Sequence, residues 1–295
     1  VQQGLKTAGA DAACETKLTI CQCSFFVNRI GAQARSVCLL SSPRAGKKFL
    51  FLRKLWYRFP RINTGSTRYH TLASIRSKDD SDMKILAFMG SPRLKGKCNR
   101  LTQKALEGAA SAGAEIKNFE LIKYNIKYCM GCGTCFLNKP DQTIGTCPLK
   151  DDVRSILDEY VQADGYIFSS PAYDMFCTAL IKTFLERKIA LTYKSREAIG
   201  KIPAARPGIA QNFMKKASFI VTANCDDTLE EVMGEPCYEA FEAHLLFEEI
   251  DTVGKLYCGG VENMTDEEFD VRLQKAFDLG KNLVETIQKY RAENS

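Results

Sequence analysis

The sequence has a single tryptophan and two histidines, and no run of apolar residues approaches membrane-spanning length. A transmembrane helix is therefore not expected. No Gly-Lys-Ser/Thr follows a glycine-rich loop at the spacing of a P-loop, and G-x-G-x-x-G is also missing, so neither a nucleoside-triphosphate cradle nor the dinucleotide fingerprint is present. The histidines, His70 and His244, suggest no site. Charge is short where nucleic-acid binding would need it. Residues 1–82 carry 14 Lys and Arg against 5 Asp and Glu, whereas 83–295 carry 27 against 30. The net charge of +6 thus belongs to the leading segment, and the remainder offers no electrostatic case for nucleic acid.

That leading segment also lacks a period, helical or extended, that holds over ten residues. The chain begins with Val, and Met83 stands directly before the first strand. Residues 1–82 are accordingly expected to be a disordered or non-native extension. A targeting peptide and a tail for DNA or a membrane surface stay open, but a secretory signal does not, because no clean apolar core is present.

Cysteine, by contrast, is abundant. Of thirteen, four lie in the leader and four are clustered at 129, 132, 135 and 147. An odd total with a tight C-x2-C-x2-C run does not resemble a secreted disulfide framework; it fits reduced or metal-bound thiols and a cytoplasmic setting.

From Met83 the pattern alternates. Strands are expected at 84–89, 115–122, 165–169, 217–222 and 254–259, and helices at about 99–113, 151–163, 176–191, 236–248 and 265–292. Asp151 and Asp152 are placed in the first turn of the second helix, where the dipole favours them, and Thr265 with Glu268 reads as a capping box on the last. Five such pairs imply an α/β fold with a parallel sheet covered on both faces. Ligands of such sheets bind beyond the carboxyl ends of the strands, so the loops after the first, third and fourth strands are the ones to examine.

The first of these is Gly90-Ser91-Pro92-Arg93-Leu94-Lys95-Gly96-Lys97-Cys98. A strand, a small-residue loop and a helix start form a phosphate site: backbone N–H groups converge, and the dipole and nearby cations add positive charge. After the third strand comes Ser170-Pro171-Ala172-Tyr173-Asp174, and then Thr178-Ala179 and Lys182. The turn puts a rigid bend and an aromatic at the ligand edge, and the small residues let a helix or a flat ring come close.

The two loops together resemble the NADPH-dependent FMN reductase family, over most of 83–290. Gly90, Ser91, Pro92, Arg93 and Gly96 match its G-S-P-R-x-x-G pattern. Ser170, Pro171, Tyr173, Thr178, Ala179 and Lys182 match its second motif. The resemblance implies a flavodoxin-like three-layer sandwich, with a five-stranded parallel sheet in the order 2-1-3-4-5 and a domain spanning 83–295. It also implies bound FMN. Ser91, Arg93, Lys97 and Cys98 would lie at the phosphate, although family members commonly carry Asn and Ser/Thr where Lys97 and Cys98 stand. Pro171, Ala172, Tyr173 and Asp174 would lie around the ring, with Thr222, Ala223 and Asn224 closing the other side. No side-chain acid or base is required. NAD(P)H is the implied electron donor, a flavin or quinone the acceptor, and a homodimer or homotetramer the assembly.

The cysteine-rich loop, 124–150, is the other distinctive feature. Thiolates at Cys129, Cys132 and Cys135 can wrap one cluster, with Gly131 and Gly133 allowing a tight fold; Cys147-Pro148, after eleven residues, supplies a fourth. The arrangement is similar to the iron–sulfur flavoproteins of the same family, whose last spacing is shorter. Three readings stay open: a four-iron four-sulfur cluster, free thiols in a dimer-contact loop of a plain FMN reductase, and structural zinc, which the third cysteine fits poorly. The expected function is that of an oxidoreductase moving electrons from NAD(P)H through bound FMN to a flavin, quinone or similar acceptor; an iron–sulfur electron carrier serving ferredoxin-like partners and a non-enzymatic flavin-binding or sensor protein are the alternatives.

Overall fold

A computed structural model describes residues 83–137, 142–193, 204–205, 215–246, 248 and 250–294. The expected extension over 1–82 lies outside the described residues, as do 138–141 of the cysteine loop and most of the 200–216 loop.

The strands are β1 (Lys84–Met89), β2 (Glu115–Glu120), β3 (Gly165–Tyr173), β4 (Lys216–Thr222) and β5 (Asp251–Cys258). They pair in parallel in the order β2-β1-β3-β4-β5. The principal helices are α1 (Lys97–Ser111), α2 (Val153–Tyr160), α3 (Ala179–Arg187), α4 (Glu235–Leu246) and α5 (Asp266–Asn294). The fold is thus the flavodoxin-like α/β sandwich, with the strand order anticipated from the family. Among the described residues no helix is long and apolar enough to cross a membrane.

Strand alternation sorts the core into two unlike layers. Leu86 and Phe88 of β1, Tyr166 and Phe168 of β3, and Phe219 of β4 face α2, α3 and α4 and build an aromatic layer. Phe88 stacks between Phe119, at 5.3 Å, and Phe184, at 4.8 Å. Ile85, Ala87, Ile167 and Ile220 face the other way, onto Leu101 and Ala105 of α1 and Leu283 and Ile287 of α5. That second layer is thin because α1 and α5 cross backbone to backbone. A methyl group on Gly108 would strike the Phe277 carbonyl, and one on Gly280 the Ala105 carbonyl. The α5 start is the anticipated capping box: Thr265 N–H donates to Glu268 Oε2 (2.8 Å) and Glu268 N–H to Thr265 Oγ1 (3.2 Å).

Two helices are shorter than their periodicity suggests. The second, expected from 151, begins at Val153, because the carboxylates of Asp151 and Asp152 bind the backbone of the preceding loop. Asn125 N–H donates to Asp152 Oδ2 (2.7 Å) and Lys127 N–H to Asp151 Oδ2 (3.0 Å). The third, expected from 176, begins at Ala179. Residues Phe176–Cys177 instead fold back on β3 as a hairpin, Tyr173 opposite Phe176 and Ala172 opposite Cys177. A 3₁₀ turn at Lys188–Leu191 follows α3. The second strand likewise stops at Glu120, and Leu121–Lys123 forms a 3₁₀ turn.

Candidate functional site

Parallel register brings the strand exits to one edge: Met89 lies beside Ser169, and Ser169 beside Ile220. Three loops therefore meet there, and hydrogen bonds tie them together. Gly90 N–H donates to the Ser169 carbonyl (2.8 Å), and Thr178 Oγ1 donates to the Gly90 carbonyl (2.7 Å). Thr178 N–H donates to Ser170 Oγ (3.0 Å), and Thr178 Oγ1 also accepts from Ile181 N–H (3.4 Å) as the cap of α3. The approach at Gly90 is close: a Cβ there would lie 2.6 Å from Ile181 Cβ. Sequence reading noted Thr178 as a small residue of the second motif; in the fold it is the clamp between the first and second loops.

Around this clamp, Ser91 is buried and its hydroxyl oxygen accepts the Arg93 N–H (3.1 Å). An oxygen used in this way can still donate its own hydrogen outward. Gly96 precedes α1 with no side-chain cap, and the first turn holds no acidic residue. The N–H groups at the start of α1 thus face a position suited to an anion. Arg93 stands exposed at the rim, 3.6 Å from Glu262.

Two residues expected at the phosphate are placed differently. The Lys97 ammonium donates to the carbonyls of Val261 (2.5 Å) and Met264 (3.2 Å), and lies 5.1 Å from the centre of the Phe269 ring. It braces the loop before α5 instead of supplying charge to the anion position. Cys98 is buried in the floor. Burial pushes its thiol up to about 12, against the lowering effect of hydrogen bonds with Thr222 and Ser169. The thiol is therefore protonated and a weaker donor than a hydroxyl, and Thr222 is buried as well.

The residues expected around the ring form an exposed hairpin. Pro171 and Ala172 are half-buried and Tyr173 is 46% exposed. Asp174 and Met175 make the turn with φ of 51° and 58°, a left-handed pair usually reserved for Asn or Gly. Met in this region is strained, and such strain gathers at functional edges. Opposite, Ala223 is buried and Asn224 exposed.

The cysteines assemble elsewhere, beyond the C-terminal end of α3. Cys129, Cys132, Cys135 and Cys147 all line one cavity of about 410 Å³, together with Arg187, Lys188, His244 and Glu248. Burial pushes the Cys135 thiol up to about 11, and negative charge on Cys147, Cys129 and Cys132 adds to the effect. Hydrogen bonds from the Thr134 hydroxyl and N–H hold Cys132 below its usual value. Among the described residues no three His, Cys, Asp or Glu side chains are grouped closely enough to hold one metal ion. Four soft donors around one cavity fit a four-iron cluster in number and chemistry.

Sequence reading missed the cavity wall. The Arg187 guanidinium grips Asp151 through both carboxylate oxygens, at 2.5 and 3.1 Å. Burial alone would raise the Asp151 carboxyl; bonds from Arg187 and the Lys127 N–H outweigh it and hold the group below the ordinary range. The Lys188 ammonium lies 3.0 Å from Glu248 and 4.6 Å from the centre of the Tyr160 ring, and Tyr160 OH donates to Glu248 Oε2 (2.6 Å). His244, which suggested no site, lines the cavity. Burial, with the nearby charges of Lys188 and Lys182, pushes it down to about 3, so it is neutral there. An Arg ending a helix or a His on an amphipathic face gives no local signal of these partners.

The family described as NADPH-dependent FMN reductase matches residues 83–209. An iron–sulfur flavoprotein of Archaeoglobus fulgidus is 27% identical over 214 residues, which is 72% of this chain and 84% of that protein. One from Methanocaldococcus jannaschii is 32% identical over 158 residues, or 50% of this chain and 79% of its own. Among solved structures, an NAD(P)H:quinone oxidoreductase from Methanothermobacter marburgensis superposes with a TM-score of 0.52 at 17% identity, over 68% of this chain and 99% of its own, a likeness of fold alone. With both loop motifs on the strand edge and these relatives alongside, the chain belongs to the NADPH-dependent FMN reductase family, a family of flavin-dependent reductases.

Proposed function

We propose that this chain is an iron–sulfur flavoprotein, carrying FMN at the strand edge and a four-iron four-sulfur cluster in the cysteine cavity, and passing electrons to an external acceptor. The observation that carries the reading is that all four cysteines of the 124–150 loop line one cavity, despite the eleven residues between the third and the fourth. The relatives named above bear the same description.

FMN supplies hydride acceptance and single-electron release when bound, and the protein supplies position and electrostatics. The N–H groups at the start of α1 and the Ser91 hydroxyl hold the phosphate, with Arg93 at the rim. The hairpin Pro171–Asp174 and the Ala223–Asn224 turn bound the ring. Thr178 keeps the two loops in register. The nine residues of α3 separate this edge from the cavity by about 13 Å of helix.

The test is anaerobic purification of the full chain, with an absorbance spectrum and assays of flavin, iron and sulfide. One FMN with about four irons and four sulfides per chain supports the reading. Flavin without iron overturns it. The second reading would then hold, in which NAD(P)H reduces the flavin and a small acceptor such as a quinone or free flavin reoxidises it. What favours that alternative is the exposed hairpin, where Tyr173 and Phe176 offer flat apolar faces for a nicotinamide beside the ring. Rapid bleaching of the flavin by NADH or NADPH would support it.

A further inference from the structure

We propose that Arg187 is a positioning residue for the fourth cysteine: it holds Cys147 at the cavity and, through an N–H···S contact, raises the reduction potential of the cluster bound there. The inference rests on the cluster reading above and assigns a role to a residue outside both sequence motifs.

The excursion before the fourth cysteine is long. The first three cysteines occupy seven consecutive positions, but Cys147 follows only after eleven more residues, so local geometry does not place it. Arg187 does. Its Nη2 lies 3.4 Å from Cys147 Sγ, and its Nη1 donates to the Lys127 carbonyl (2.7 Å). The bidentate grip on Asp151 completes the set. One planar guanidinium therefore joins the stem before Cys129, the segment after Cys147, and Cys147 itself. Asp151 strengthens the same closure by accepting the Lys127 N–H (3.0 Å).

Both partners are deeply buried, with 3% of the Arg187 side chain exposed and 1% of that of Asp151. A buried ion pair is costly to assemble and is no strong stabiliser by itself. Its geometry, however, is rigid. A fork fixed by a carboxylate on one side presents its remaining N–H in a set direction, which a lysine ammonium does not do. That direction is the Cys147 sulfur. The Asp151 carboxylate balances the guanidinium charge, so the contact acts chiefly as an oriented N–H dipole. The neighbouring Lys188 ammonium has a different commitment, to Glu248 and the Tyr160 ring.

The consequence for the cluster is electrostatic. In a cluster held there, uptake of one electron would add negative charge to the ligand sulfurs, with no bond made or broken and no proton moved. A fixed N–H donor favours the more negative state, so it raises the potential.

The test is a dithionite titration with redox mediators of the cluster-loaded full chain, read by electron paramagnetic resonance, in wild type, Arg187→Lys and Arg187→Gln. Variants that retain about four irons should show about a tenfold lower ratio of reduced to oxidised cluster at a fixed potential, which is about 59 mV for one electron. Loss of stability in urea with an unchanged midpoint would make Arg187 a purely structural tie and overturn the inference. Should neither variant retain its cluster, wild type labelled with 15N-arginine decides the matter. A 15N coupling in the pulsed spectrum of the reduced cluster supports the contact, and its absence overturns it. Wild type with flavin but no iron overturns the cluster reading, and this inference with it; an iron-loaded wild type with an unaltered midpoint in the variants overturns this inference alone.

Discussion

Replacing Thr178 with valine tests the clamp at the strand edge. Valine keeps the shape of threonine and removes one oxygen from a side chain that is 3% exposed. Two hydrogen bonds go with it. The Gly90 carbonyl loses its 2.7 Å donor, and the Ile181 N–H loses its 3.4 Å acceptor at the start of α3. A buried carbonyl left without a partner costs about 1–3 kcal/mol. Loss of a cap typically costs about 1 kcal/mol, and less is expected here because the capping bond is long. The variant should therefore be less stable by about 1.5–3.5 kcal/mol. Urea denaturation measures this as a lower midpoint at unchanged slope. The first loop would also lose its brace against the second, so FMN affinity should fall about tenfold, or 1.4 kcal/mol, in a fluorescence titration of apoprotein. Thr178→Ser restores the oxygen and should recover most of both losses. A valine variant within about 0.5 kcal/mol of wild type, or valine and serine variants that behave alike, would refute the clamp.

Other predictions follow from single features. Gly280→Ala sets a methyl against the Ala105 carbonyl and should destabilise the protein by about 3 kcal/mol, because backbone cannot yield as a side chain does; a cost below about 1 kcal/mol in urea would contradict the close crossing of α1 and α5. Met175→Gly should do the opposite and stabilise by about 1 kcal/mol, since glycine adopts the φ of 58° without strain; a destabilised variant would argue against the left-handed turn. His244 is held neutral in the fold at about 3 against its ordinary 6.5. The unfolded chain therefore binds a proton that the folded chain refuses, and this contribution to stability is complete above pH 6.5 and declines as pH falls toward 3. Its slope is at most about 1.4 kcal/mol per pH unit, and His244→Gln should lack it. The difference between wild type and variant in urea should be flat above pH 6.5 and turn in the variant's favour below, and parallel curves would refute the assignment.

Much of the fold is legible in the sequence because its signals are local. β1, Lys84–Met89, is the apolar run of Ile85 to Met89 with one residue before it, as its pattern predicts. The Thr265–Glu268 box is a contact between neighbours in sequence. The failures also share a cause. Asp151 and Asp152 sit where a helix dipole would favour them, yet their carboxylates serve Asn125 and Lys127, some 25 residues back. The apolar spacing of 176–191 is helical in period, yet Phe176 and Cys177 gain more from pairing with β3. Lys97 looks like a phosphate ligand from the loop that precedes it, but its ammonium meets carbonyls 164 and 167 residues away.

By itself the sequence determined the alternation of strands and helices, the two loop motifs at the strand exits, and the four clustered cysteines. These are properties of short segments, set by periodicity, turn residues and spacing. The tertiary structure alone decided that Thr178 would lock one loop to the other, that Cys98 would turn into the floor, and that Cys147 would join the other three cysteines under the hold of Arg187. Each depends on groups that are distant along the chain and adjacent in space. Burial gives those contacts their force, because a buried carbonyl, carboxylate or guanidinium must find its partner within the fold.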